Sequence, residues 1–193
     1  MCIRDSLGLV KSSSDLIAFC DDDDLWLSNK LVTQLNFLQK NNFSLVSTNA
    51  YTYDKNISNS MKLFLKKNIK IEPLINLVYR NQIITSSVMF RKSHFFITKY
   101  DNLFDSEIYV GEDWIAWLKL RCSTEIPFGY LPEPLIHYRL SNNSLSKKYN
   151  FRTLILMSYK VIKLLFSYHL YFTCLSAIFF FILRLGRYIF FKK

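Results

Sequence analysis

The chain has 193 residues, half of them hydrophobic, and a formal charge of +10, enough length to bury one core with an appendage. The charge is concentrated: residues 147–193 carry nine basic and no acidic side chains, whereas 1–72 carry nine and eight and 73–146 carry seven of each. Basic groups beside the uncharged stretch LLFSYHLYFTCLSAIFFFIL (164–183) argue against nucleic acid, which asks for a polar basic face, and point to anionic lipid headgroups.

The opening MCIRDS has no signal-peptide character and is similar to translated adaptor sequence, so residues 1–6 read as a non-native leader. Next, DLIAFC (15–20) is an apolar run of strand length. Ser28 is placed to cap a helix through NKLVTQLNFLQKNN, whose apolar stripe is Leu31, Leu35 and Leu38, widened by Val32. FSLVSTNAYTY (43–53) reads as a second strand, 54–72 as a loop with a short helix, and PLINLVYRN (73–81) as a helix opened by proline. ITSSVMFRK (84–92) predicts a strand, EDWIAWLKLRC (112–122) a helix, and PLIHYRL (134–140) a short strand before the polar loop SNNSLSKK. Strands alternating with helices define an α/β domain with a mixed sheet. Cys2, Cys20, Cys122 and Cys174 lack CxxC spacing and read as buried thiols of a reducing compartment.

Four aspartates, Asp21–Asp24, follow the first strand directly. Ligands of open α/β sheets bind outside the carboxyl ends of strands, and carboxylates there suit Mg²⁺ or Mn²⁺ completed by substrate phosphate. A solvated acidic turn is the alternative, and the run alone does not choose between them. An EF-hand is excluded: counting from Asp21, position six is Trp26 and position twelve Val32, not Gly and Glu. At 112–113 two acids open a helix, where the dipole alone accounts for them.

In order, DLIAFCDDDDLWLSNKL, SSVMFRKS, LFDSEIYVGEDWIAWLKL and PLIHYRLSNNSLS resemble glycosyltransferase family 2, the inverting enzymes of GT-A fold, over residues 8–146. The resemblance implies a partial GT-A (Rossmann-like) domain over 1–150. It matches Asp21 and Asp23 to the metal-binding DxD, with Asp22 and Asp24 beside the donor diphosphate and sugar. Glu112–Asp113 matches the family's acid pair, making Asp113 the general base, with Glu112, Trp114 and Trp117 on the acceptor side. For the two tryptophans core packing is the equal alternative. His137 and Arg139 match a strand facing the diphosphate; His137 reads equally as a core histidine, and Arg139 suits phosphate oxygens. The resemblance further implies a nucleotide-diphospho-sugar donor, a glycan or lipid-linked acceptor, and a role in bacterial surface polysaccharide or lipopolysaccharide synthesis. Family members begin tens of residues before the DxD, and their usual lead-in is reduced here to IRDSLGL. The expectation is an N-terminally truncated chain with a half-built donor site, inactive by itself.

Residues 151–193 read as a basic hydrophobic tail that associates with membrane lipids, by a spanning helix over 164–183 or by helices lying in the plane, at the cytoplasmic face of the inner membrane. Two rival functions are a metal-dependent phosphohydrolase using the aspartates, which leaves GEDWIAWLKL unexplained, and a non-enzymatic membrane-anchored interaction protein.

Overall fold

The computed structural model describes residues 2–53, 61–65, 72–95, 103–105, 107–108, 110–140 and 150–191. The sheet is built on β3 (Leu45–Tyr53), flanked by β5 (Met89–Arg91) antiparallel and β6 (Phe128–Arg139) parallel. Beyond these lie β1 (Leu16–Ala18) outside β5 and β2 (Leu25–Trp26) outside β6, while β4 (Lys62–Leu63) adds to β3.

Successive residues of each strand face opposite sides. Ile17, Leu45, Phe90 and Phe128 point into the main core with α3 (Leu74–Tyr79) and α4 (Glu112–Cys122), while Ala18, Val46 and Met89 pack on α2 (Lys30–Lys40). Helices on both faces of a mixed sheet make a three-layer α/β fold, as the alternation predicts.

The differences from expectation have local causes. On α2 the buried residues are Lys30, Gln34 and Leu38, whereas Leu31 and Val32 of the predicted stripe are about half exposed. Its cap residue is Asn29 rather than Ser28, and no side chain bonds there. Strand β6 begins six residues before its predicted start. Pro132 and Pro134 argue against a strand, but the register slips there, pairing Leu131 with Thr48 and Pro134 with Asn49. The bulge carries residues that could not serve an ordered ladder. The Asn49 side chain serves the segment after β4, accepting from the Leu65 amide at 3.1 Å and donating to the Leu65 carbonyl at 3.0 Å. The predicted strand 84–92 is shortened because Thr85–Ser87 form a 3₁₀ turn. Part of 54–72, and the loop 141–149, lie outside the described residues; within the former, 62–63 form β4. Cys20 is exposed rather than buried, Cys122 half-buried and Cys174 buried, all as free thiols.

The apolar tail folds into two helices, α5 (Phe151–Ser167) and α6 (Tyr171–Phe191). A single helix over 164–183 is interrupted at Tyr168–Leu170. There His169 takes a left-handed φ of 58°, while the Leu170 and His169 amides bond the carbonyls of Leu165 and Phe166. This is the double hydrogen bond that closes a helix, with histidine where glycine is usual. Met157, Val161 and Leu165 of α5, and Cys174, Ala177 and Phe181 of α6, join the same core as Phe19 and Trp117. The core therefore runs across the boundary expected at residue 150.

Candidate active site

The four aspartates form a turn at the end of β1, closed by the Asp24 amide donating to the Asp21 carbonyl at 3.2 Å. It is anchored on three sides. The Asp21 amide donates to Ser86 Oγ at 2.9 Å, the Tyr53 hydroxyl to the Asp23 carbonyl at 3.0 Å, and the Arg139 amide to Asp24 Oδ1 at 3.0 Å. A solvated loop needs no such anchors. Asp22 and Asp23 are exposed, Asp21 half-buried and Asp24 buried. Asp24 is thus turned inward, its Oδ1 on the β6 backbone and its Oδ2 buried without a hydrogen-bond partner. Burial pushes the Asp21 carboxyl up to about 7, reinforced by the charges of Asp24, Asp5, Asp23 and Asp113.

That last influence is the smallest of them, and it puts the second acidic motif within electrostatic reach of the first. Asp113 lies in the first turn of α4, entered through Gly111 at φ 82°. The positive φ favours glycine there, and a Cβ would also push on the Met157 thioether of α5 behind it. Asp113 Oδ2 accepts from Asn81 Nδ2 at 3.1 Å, and Oδ1 accepts from the Trp114 amide at 2.7 Å. Burial, then the neighbouring Glu112 charge, pushes the carboxyl up to about 6 despite these bonds. It is a side chain held by two hydrogen bonds at a helix start, with a proton affinity close to neutrality.

Other candidates are placed differently. Trp117 is fully buried against Phe19 and Phe104. Trp114 is 3% exposed, donates its indole N–H to the Leu77 carbonyl, and is covered by Phe181 and Arg184. Both are core residues here, not open acceptor-side surfaces. His137 stacks on Tyr51 and meets Tyr53 edge-on, its Nδ1 buried without a hydrogen-bond partner. Arg139 is exposed, and its backbone amide is what reaches the acidic turn.

Several site residues have no motif to announce them. Ser86 and Asn81 hold Asp21 and Asp113, and each lies in a short connection with ordinary composition. Tyr138, beside the two residues singled out on its strand, has its phenol pushed up to about 12 by burial and then by Asp24, Asp113, Asp21 and Asp23. Its ring packs edge-on against Phe64 and beside Ala50, Ile84 and Ile136. Strand alternation is the one signal that could have found it, since it places Tyr138 on the face opposite His137.

Asp21 and Asp23 are hard oxygen donors, and the negative charge gathered around Asp21 is what a divalent cation relieves. Among the described residues no group of three or more His, Cys, Asp or Glu could hold a metal ion. The donor set fits a cation held by one or two carboxylates, with phosphate oxygens completing its shell.

The mixed α/β sheet, with an acidic turn at a strand end and a second acidic motif at a helix start, resembles a GT-A domain. The structure superposes on Staphylococcus aureus TarS 1–349, solved in complex with UDP-GlcNAc, with a TM-score of 0.57 at 12% identity, covering 83% of this chain and 45% of that one. The family model for glycosyl transferase family 2 matches residues 6–103, and the chain belongs to that family. An uncharacterized glycosyltransferase of Rickettsia bellii is 30% identical over 115 residues, 60% of this chain and 16% of the relative. One from Rickettsia felis is 27% identical over 142 residues, 72% of this chain and 22% of the relative. The chain thus spans about a fifth or less of the length of these relatives.

Proposed function

We propose that this domain transfers a sugar from a nucleotide-diphospho-sugar to a hydroxyl acceptor with inversion. The observation that carries the reading is geometric: the aspartate turn at the end of β1 is pinned by Ser86, Tyr53 and the Arg139 amide, and Asp113 is held by Asn81 at the start of α4. Asp113, positioned by Asn81, takes the proton from the acceptor hydroxyl as its oxygen attacks the anomeric carbon, and the bond to the diphosphate breaks on the opposite face. One displacement inverts the centre. Asp21 and Asp23 would hold a Mg²⁺ or Mn²⁺ ion, which would supply positive charge against the leaving diphosphate. The UDP-GlcNAc held by the structural neighbour favours a uridine-type donor. Calorimetry with Mn²⁺ and UDP tests the assignment. Binding that needs both together supports it, binding of Mn²⁺ with inorganic phosphate alone indicates a phosphohydrolase, and binding of neither indicates an interaction protein.

The location we propose is the cytoplasmic face of a bacterial inner membrane, in surface polysaccharide or lipopolysaccharide synthesis on a lipid-linked acceptor. Support comes from α6, which is long and apolar enough to cross a bilayer over Tyr171–Tyr188 with only 17% of that window buried. Its inner row is committed to the core, and Arg184 holds it to the Tyr79 carbonyl. Phe172, Leu175, Phe179 and Ile182 form an exposed outer row, each at least 59% exposed. A helix held along one side presents the other in the membrane plane, and of the nine basic residues in 147–193 those other than Lys160 and Arg184, which are tied to the domain, would face anionic headgroups. Co-sedimentation with anionic but not neutral vesicles is expected, and loss of it in Phe172→Glu/Phe179→Glu. Equal recovery in the supernatant with both vesicle types would reject the location.

A further inference from the structure

Lys30 and Gln34 are fully buried on α2, where the sequence pattern predicts leucine and valine. Gln34 Nε2 donates to the Val46 carbonyl at 2.6 Å and the Ser87 carbonyl at 2.7 Å. Both amide protons are committed, which leaves Oε1 in need of a donor. Lys30 Nζ supplies it at 2.8 Å. The same ammonium lies over the Trp26 ring, 4.3 Å from its centroid. That indole donates to the Ser86 carbonyl at 3.0 Å, and the Ser86 hydroxyl accepts the Asp21 amide. The linkage runs unbroken from the central strand to the first aspartate of the acidic turn.

A buried ammonium is a poor device for holding a helix to a sheet. Leaving water costs it more than one neutral acceptor and one aromatic face return, and an apolar side chain of similar volume packs as well without that cost. What an apolar side chain cannot do is orient Gln34 and Trp26 together. We propose that Lys30 is a positioning residue of the acidic site. Through Gln34 and Trp26 it fixes the Ser86 hydroxyl, and so holds Asp21 and Asp23 in the geometry that receives a divalent cation and diphosphate. The identity of that ligand rests on the transferase reading; the linkage does not.

Lys30→Met in this chain separates the two. Thermal unfolding, Mn²⁺ binding in the presence of UDP by electron paramagnetic resonance, and the NMR signal of the Asp21 amide are measured together. The expected result is a melting temperature changed little, relief of the buried ammonium being set against the orphaned Gln34 Oε1, with Mn²⁺ affinity weaker by about 10–100-fold, as for groups that orient metal ligands, and an Asp21 amide that shifts and exchanges faster. A lower melting temperature with unchanged Mn²⁺ affinity assigns Lys30 to stability alone and overturns the proposal, as does no change in any readout. If the unaltered chain takes up no Mn²⁺ with UDP, the transferase reading fails and the Asp21 amide decides: an unmoved signal in Lys30→Met refutes the linkage. If Lys30→Met does not fold, or loses stability and affinity together, Trp26→Phe decides instead. It keeps a ring and removes the bond to Ser86, so wild-type affinity and an unmoved Asp21 signal in that variant overturn the proposal.

Discussion

Replacing Asp113 by asparagine should make the protein more stable and less active at once. The carboxyl stands near 6 where an exposed aspartate stands at 3.8, a difference equivalent to about 3 kcal/mol at most. Its folded-state pKa is raised, so ionisation opposes folding: the penalty is absent when the group is protonated in both states, grows as pH rises from about 4 to 6, and is complete above that. Asparagine removes the penalty and keeps an oxygen for the Trp114 amide. It disturbs the bond from Asn81, worth about 1 kcal/mol. Urea unfolding should therefore show a gain of about 1–2 kcal/mol near pH 7.5 that shrinks toward zero near pH 4.5. Turnover of the nucleotide-sugar donor by the full-length protein should fall by about 10²–10⁴-fold, with donor affinity kept. Near-normal turnover, or a loss of more than about 1 kcal/mol at pH 7.5, refutes the reasoning.

In the wild type, turnover should rise with pH through about 6 as Asp113 becomes able to accept a proton; a flat profile between pH 5 and 8 counts against it as the base. Asp23→Ala should abolish metal-dependent nucleotide binding while Asp22→Ala is mild, and calorimetric constants that fall equally for both reject the assignment of the ligands. Asp24→Ala leaves the Arg139 amide unpaired and should cost about 1–3 kcal/mol in urea unfolding, whereas an exposed acid would cost almost nothing. Gly111→Ala, strained at φ 82° and pushing on Met157, should lower stability by at least about 1 kcal/mol by the same assay.

Much of this site is legible in sequence because carboxylates with shared chemistry cluster: Asp21–Asp24 and Glu112–Asp113 stand out, and the helix 112–122 is found to the residue. The partners that aim them do not stand out. Ser86 and Asn81 act across 65 and 32 residues of chain, a distance no local pattern spans. Helix periodicity misplaces the buried face of α2 because it weighs apolar residues only, and here the inward row includes a lysine and a glutamine satisfied by the sheet behind them. Proline hides half of β6 for the converse reason: its penalty is real, and a bulge absorbs it. Tail hydropathy is continuous through 164–183, while the chain turns on the left-handed backbone of His169, which hydropathy does not register.

The insertion of Ala177 and Phe181 into the core that also holds Phe19 and Trp117 has a consequence for biosynthesis. Domains fold as the chain emerges from the ribosome, N-terminal parts first. Here the sheet and α4 can form while α6 is still being translated, but the apolar groove they leave open stays uncovered until residue 181 is clear of the exit tunnel. During that interval the nascent chain lacks Phe181, which packs on Trp114 in the finished fold. A stall or a stop codon between 151 and 181 should therefore yield a chain that aggregates or is held by chaperones, not a smaller soluble domain.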